Sequence, residues 1–300
     1  MITGTNVTKR FGQHTALDGI DFMITEGSVC GLVGSNGSGK STLLRLIAGV
    51  YQPDGGTVGI DGVGTFNNPD LKSQIAFLGD TPYFLPQADL NDMAQFYRSV
   101  YPEFDDGVFA YLNSVFPLGV HKRITALSKG QQRQAALILA LSTKPKYLLM
   151  DEAFDGLDVV MRRVLANLVM DSVEKRGMTT VIASHNLREL EDLCDRVALI
   201  HEGKMLFNDD TDRLKEGLHK VQLACSQVPE QSVFSGLDVL KCERTGSLLQ
   251  MVVRGNQEEI LSTLKKLSPL FLECVEPTLE EMFVYELEVT GYDVKNILSE

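Results

Sequence analysis

From Gly34 to Ser41 the chain reads G-S-N-G-S-G-K-S, which fits the pattern G-x-x-x-x-G-K-[ST] with Gly34, Gly39, Lys40 and Ser41 at its fixed places. Behind it Leu43, Leu44, Ile47 and Ala48 recur at helical spacing, and ahead of it lies the short apolar run S-V-C-G-L-V. Strand, glycine loop and helix N-terminus together aim consecutive backbone N–H groups at a phosphate. In such a loop Gly34, Ser35, Asn36, Gly37, Ser38, Gly39, Lys40, Ser41 and Thr42 surround a polyphosphate. Lys40 reaches the outer phosphates and the Ser41 hydroxyl ligates Mg2+. A second candidate pair, Asp151 and Glu152, ends the apolar run Tyr147–Met150. Adjacent carboxylates repel each other unless a cation lies near, and the Mg2+ of a bound nucleotide supplies one. Asp151 is therefore expected on the metal side, and Glu152 as the base that orients an attacking water. A third run, T-T-V-I-A-S-H, brings His185 to another strand end, where its imidazole is in reach of a terminal phosphate.

The stretch L-S-K-G-Q, Leu127 to Gln131, opens a strongly apolar helix and makes a second anion-facing N-terminus, although the first phosphate loop is already complete. It resembles the signature motif of ATP-binding-cassette (ABC) ATPases, usually written L-S-G-G-Q. The order of the motifs is also the order that family shows: Gly34–Ser41, Leu127–Gln131, Asp151–Glu152, D-G-L-D at Asp155–Asp158, then His185. The resemblance spans roughly residues 1–215 and implies a head-to-tail dimer with two ATP molecules between its subunits. Gly34 to Thr42 would then act in cis, and Ser128, Gly130 and Gln131 in trans. Asp158 matches the loop that crosses to the partner, and His185 the switch histidine. Phe11 in T-K-R-F-G stands where the family has an aromatic residue stacked on adenine. Two positions depart from the pattern. Lys129 replaces a glycine and adds a positive charge near the outer phosphate. After Q-I-A-F-L, Asp80 stands where the family has the Q-loop glutamine, which links Mg2+ to the partner protein. A carboxylate still suits a hard cation, so Asp80 is expected beside the metal with Ser41 and Asp151. Gln87 lies farther beyond the strand.

These residues need an α/β scaffold to hold them. The resemblance implies a P-loop NTPase core at residues 1–218, with a helical subdomain at about 88–142 that carries the signature. In that subdomain apolar residues at three- and four-residue spacings, interrupted by Pro102, predict two helices. Phe96, Tyr97, Tyr101, Phe104, Phe109 and Tyr111 are read there chiefly as core. Residues 219–300 read as a small α+β appendage. H-K-V-Q-L-A-C, L-L-Q-M-V-V and L-F-L-E-C-V-E are its strands, and Q-E-E-I-L-S-T-L-K-K-L and T-L-E-E-M-F-V-Y-E-L-E its helices. P-T-L-E-E-M-F, from Pro277 to Phe283, resembles the ending of ATPase subunits of bacterial exporters whose membrane half is a separate chain.

Composition narrows the function further. Three hundred residues are enough for two domains. The longest uncharged apolar run, Ala135 to Leu141, is far below the ~18–20 residues that cross a bilayer. Cys30, Cys194, Cys225, Cys242 and Cys274 form no C-x-x-C pair and read as reduced structural thiols. A net charge of −12 argues against nucleic acid as a partner. The expected protein is the ATP- and Mg2+-dependent ATPase subunit of an exporter. It would work as a homo- or heterodimer, energise an integral-membrane permease, and lie in the cytoplasm, peripheral to the inner face of the membrane. An importer subunit would share every catalytic motif. A chromosome-organising ATPase would need a heptad coiled coil between Lys40 and Ser128, and that stretch shows none.

Overall fold

The computed structural model describes residues 1–191, 193–215, 217–225 and 231–283. The chain forms two compact units that part between Asn208 and Asp209, against a division expected after residue 218. The first unit begins with β1 (Ile2–Phe11), β2 (His14–Ile24), β3 (Val29–Val33), α1 (Lys40–Ile47), β4 (Gly55–Ile60), β5 (Val63–Gly64), α2 (Pro69–Lys72) and β6 (Ile75–Leu78). It continues with α3 (Leu90–Val100), α4 (Asp106–Val115), α5 (Lys129–Ser142), β7 (Tyr147–Asp151), α6 (Val159–Arg176), β8 (Thr179–Ser184), β9 (Arg196–His201) and β10 (Lys204–Asp210), whose last two residues fall in the second unit.

Two sheets organise this unit, one in the order β2-β1-β4-β5 and one in the order β10-β9-β3-β8-β7-β6. In the larger sheet β3 runs parallel to β8 and β9, and β7 runs parallel to β6 and β8. Every residue of β3, β7 and β8 is buried. A parallel strand is covered on both faces, which is why these segments read as continuous apolar runs rather than alternating ones. Helix α1 packs against both sheets and buries Leu43, Leu44, Leu46 and Ile47 in a core shared with Leu17, Ile60, Leu149 and Val181. The neighbours β3, β8, β7 and β6 end on one edge, and the chain leaving them carries Gly34, His185, Glu152 and Asp80 respectively. Ligands of open α/β sheets bind at that edge.

Helices α3, α4 and α5 form the helical subdomain. Asp89 and Asp92 make a capping box at α3, and the Asp105 side chain accepts from Gly107 and Val108 at α4, so each start signal satisfies N–H groups that the helix cannot. Of the aromatic residues read as core, Phe109 is buried, whereas Phe96 and Tyr111 are 45% and 60% exposed. Helix α3 buries Leu90, Met93 and Ala94, and Phe96 falls off that stripe.

The second unit carries α7 (Thr211–Lys215), β11 (Leu218–Ala224), β12 (Asp238–Thr245), β13 (Leu248–Arg254), α8 (Gln257–Lys265) and β14 (Phe271–Val275). Its strands pair antiparallel in the order β12-β13-β11-β14. Alternation along β13 buries Leu249, Met251 and Val253, which pack with Val221, Leu223, Ile260 and Leu264. Residues 279–283 are helical, and the remainder of the final helix expected from T-L-E-E-M-F-V-Y-E-L-E lies outside the described residues.

Candidate active site

The glycine loop leaves β3 and enters α1 at Lys40, with Gly39 as the N-cap at φ +115°. A Cβ on Gly34, whose φ is +157°, would stand 2.1 Å from the Ile200 carbonyl oxygen, and one on Gly39 would stand 2.6 Å from the Ala16 carbonyl oxygen. Neighbouring backbone in β9 and β2 therefore forbids side chains at these two positions before any ligand arrives. Gly37 differs. Its φ is +79°, yet a Cβ there would meet nothing within 4 Å.

Lys40 is buried, and its Nζ donates to the carbonyls of Gly34 at 2.7 Å and Ser35 at 3.1 Å. Burial lowers its pKa, and the charges of Glu152 and Asp151 partly offset that. Ser41 Oγ donates to Asp151 Oδ1 at 2.9 Å. Asp151 is 1% exposed, and burial raises its carboxyl pKa against the opposing Ser41 hydrogen bond and Arg45 charge. Its Oδ2 accepts no hydrogen bond, with the Arg45 guanidinium 3.9 Å away. A buried, unbonded carboxylate oxygen beside a hydroxyl is a set of hard oxygen donors, so Ser41 and Asp151 fit Mg2+.

Glu152 follows at φ +51°, a left-handed conformation that disfavours a side-chain-bearing residue by about 1–2 kcal/mol. Its N–H donates to the Ala183 carbonyl at 3.0 Å, which ties the turn to β8. Its carboxylate places Oε2 3.0 Å from His185 Nδ1 and Oε1 3.6 Å from Lys40 Nζ. An ionised carboxylate only accepts, so the imidazole donates through Nδ1–H.

A cleft of about 350 Å3 opens over the loop, lined by Asn36 to Thr42 and by Phe11, His14, Ala16, Asp80 and Glu152. Phe11 stands at its mouth, 44% exposed and edge-on to Tyr51 at 5.4 Å. His14 pairs with Phe11 across the β1–β2 turn, and no motif in the sequence singles it out. Asp80 is turned toward Arg133, whose Nη2 donates to its Oδ1 at 2.9 Å. Arg133 is equally silent in the sequence, because one arginine inside Q-Q-R-Q-A-A-L-I-L-A-L carries no local mark of function. Gln87, at φ +62°, is exposed and does not line the cleft.

The structure therefore brings together Phe11, the loop, Asp80, Asp151, Glu152 and His185. Ser128, Gly130, Gln131 and Asp158 do not line that cleft. Ser128 and Gln131 form a capping box at α5, with Gln131 N–H donating to Ser128 Oγ at 3.3 Å and Ser128 N–H to Gln131 Oε1 at 3.1 Å. A Cβ on Gly130 would lie 3.0 Å from the Gly156 carbonyl oxygen, so the start of α5 abuts the D-G-L-D turn. Asp158 caps α6 by accepting from the Met161 N–H at 2.9 Å. The next two residues, Val159 and Val160, are 81% and 66% exposed.

A parallel sheet whose carboxyl edge carries a phosphate loop, an acid pair and a histidine defines a P-loop ATPase. Comparison with known proteins makes the class narrower. Residues 17–155 match the family model described as ABC transporter. Over 284 residues the chain is 28% identical to the ABC transporter ATP-binding protein YtrB of Bacillus subtilis, covering 95% of this chain and 97% of that one. It is 31% identical over 206 residues to the probable sulfate/thiosulfate import ATP-binding protein CysA of Chlorella vulgaris, covering 67% of this chain and 87% of that one. The solved dimeric structure of MJ0796, a bacterial ABC transporter cassette, shares the fold with a TM-score of 0.64 at 24% identity, over 70% of this chain and 98% of that one. The chain belongs to the ABC transporter family, as an ATP-binding ATPase subunit. Among the described residues no helix is long and apolar enough to cross a membrane.

Proposed function

We propose that this chain is the ATPase subunit of an exporter, working as a dimer that closes around two ATP molecules and drives a separate membrane-spanning permease. The observation that carries the chemistry is the Glu152 carboxylate, held between His185 Nδ1 and Lys40 Nζ one residue beyond the Ser41–Asp151 pair. The loop N–H groups and the start of α1 hold the phosphates. Lys40 turns its ammonium from the Gly34 and Ser35 carbonyls toward the phosphate oxygens. Ser41 and Asp151 would hold Mg2+, which when bound would supply charge neutralisation to the phosphates. Glu152 accepts the proton of the attacking water, and His185 keeps the carboxylate aimed. Phe11 offers its exposed face to the adenine.

Ser128, Gly130, Gln131 and Asp158 lie outside their own cleft and are assigned to the partner's site. The dimeric state of the MJ0796 cassette, which shares this fold, supports that assignment. One observation supports export: P-T-L-E-E-M-F, Pro277 to Phe283, resembles the endings of exporter ATPase subunits. Placement at the cytoplasmic face follows from docking on a permease.

The test is purification of the tagged chain from detergent-solubilised native membranes. Recovery of a multi-span membrane chain with it, and ATP-driven loading of inside-out vesicles holding both, are the expected results. Loading of right-side-out vesicles alone would reassign the direction to import.

A further inference from the structure

We propose that Arg133 is a positioning residue for Glu152, and that Asp80 acts through Arg133 as its counter-ion rather than as a ligand of the metal. The proposal rests on Glu152 as the base. Arg133 sits on α5, with its side chain 18% exposed. Its Nη1 donates to the carbonyl oxygen of Glu152 at 2.7 Å and also to that of Asp155. Its Nη2 donates to the Asp80 carbonyl at 3.3 Å and to Asp80 Oδ1 at 2.9 Å. One guanidinium thus ties three pieces of chain: the loop after β6, the turn after β7, and the helix that begins at Ser128.

What this controls follows from the turn itself. Glu152 is left-handed, and the Asp155 N–H closes the turn by donating to the Glu152 carbonyl at 3.2 Å. That carbonyl faces the guanidinium only while the left-handed geometry holds. Relaxation into an ordinary conformation would rotate the peptide and swing the side chain off His185 Nδ1, so the clamp that fixes the carbonyl also fixes the carboxylate. A strained residue persists where its surroundings over-determine it, and Arg133 supplies two of those constraints. Lysine is a poor substitute, because a single ammonium lacks the planar fork that serves carbonyls on one nitrogen and a carboxylate on the other. Asp80 meanwhile points its Oδ1 at Arg133, while Asp151 Oδ1 accepts from Ser41.

The test compares Arg133→Lys, Arg133→Gln and Asp80→Asn with the parent chain, in phosphate release and in binding of a fluorescent ATP analogue. Arg133→Lys is expected to lower kcat by about 10- to 100-fold, because an ångström of misplacement at a reacting group is worth that much. KM for ATP and the Mg2+ concentration at half-maximal rate should stay within about twofold. Asp80→Asn should give a smaller fall of the same kind, and in the Arg133→Gln background it should add nothing, since a shared clamp is lost only once. Asp80→Asn that raises the Mg2+ requirement in both backgrounds would make Asp80 a metal ligand and overturn the proposal, as would Arg133→Lys with parental kcat. If an Arg133 variant fails to fold, Asp80→Asn, in an exposed loop, still decides through its kcat and Mg2+ profile. Glu152→Gln run alongside separates the two layers. Parental turnover there removes the base assignment, whereas a dead Glu152→Gln beside a fully active Arg133→Lys removes the clamp alone.

Discussion

Glu152 Oε2 lies 3.0 Å from His185 Nδ1, and that contact joins the carboxyl ends of β7 and β8, which are paired residue for residue from Tyr147↔Thr179 to Asp151↔Ala183. The proposed base and its orienting group thus follow adjacent parallel strands rather than sharing one loop. The sheet register brings the two turns that carry them side by side.

Glu152→Gln should leave ATP binding intact and let ATP hold a dimer on size exclusion while steady-state phosphate release is lost. Glutamine keeps an acceptor for the His185 N–H, so the fold is retained. Loss of the base should slow chemistry by ~10²–10⁴-fold. Turnover near the parent level in the purified variant would remove Glu152 from the mechanism.

Mixing Lys40→Ala chains with Ser128→Arg chains should restore part of the ATPase activity that each lacks alone. Ser128 lies outside the cleft of its own chain, and on the proposed assignment to the partner's site a mixed dimer holds one doubly damaged site and one complete site. Where both sites must fire together, ATP-induced dimerisation of the mixture reports the same complementation. A mixture that neither turns over nor dimerises sinks the shared site.

Gly34→Ala and Gly37→Ala should part company in stability. At Gly34 the new Cβ would sit 2.1 Å from the Ile200 carbonyl oxygen, so β9 must shift. Overpacking of this kind destabilises by about 1–3 kcal/mol, in addition to the backbone strain. At Gly37 there is space, and only the left-handed φ of +79° acts, at about 1–2 kcal/mol. Urea midpoints without nucleotide measure the difference, and equal shifts would refute the steric account.

The acid limb of hydrolysis should respond to Mg2+. Burial raises the folded-state pKa of Asp151 above its unfolded value, so the stability this group adds is present below the unfolded pKa and is lost as pH rises through the folded pKa. The ionised form that a cation needs is therefore disfavoured in the empty protein, and protons compete with metal for it. Tenfold more Mg2+ should move the acid limb down by up to about one pH unit. Asp151→Asn should abolish the response. A limb indifferent to Mg2+ would belong to another group.

Much of the site was legible because its marks are local. The loop spacing, the Leu127–Gln131 signature and the buried runs of β3, β7 and β8 each depend on residues a few positions apart, where backbone geometry and burial leave a pattern in residue type. The same holds for β11, β13, α8 and β14 in the second unit, whose alternation and apolar spacing foretold them.

Other features have no local mark. Nothing in Gly34 or Gly39 says whether ligand or protein excludes a side chain there, and the answer is the carbonyls of Ile200 and Ala16, which strand order alone brings close. Asp80 as a residue type suits Mg2+ and guanidinium equally, and its direction was decided by Arg133 arriving from α5. Exposure of Phe96 and Tyr111 depended on which stripe of each helix met the subdomain core. The sequence by itself determined the parts: a phosphate loop, an acid pair, a histidine and a signature-like helix. The tertiary structure decided which of them meet, because Glu152 and His185, or Asp80 and Arg133, are neighbours only through sheet register and helix packing, and those are properties of the whole chain.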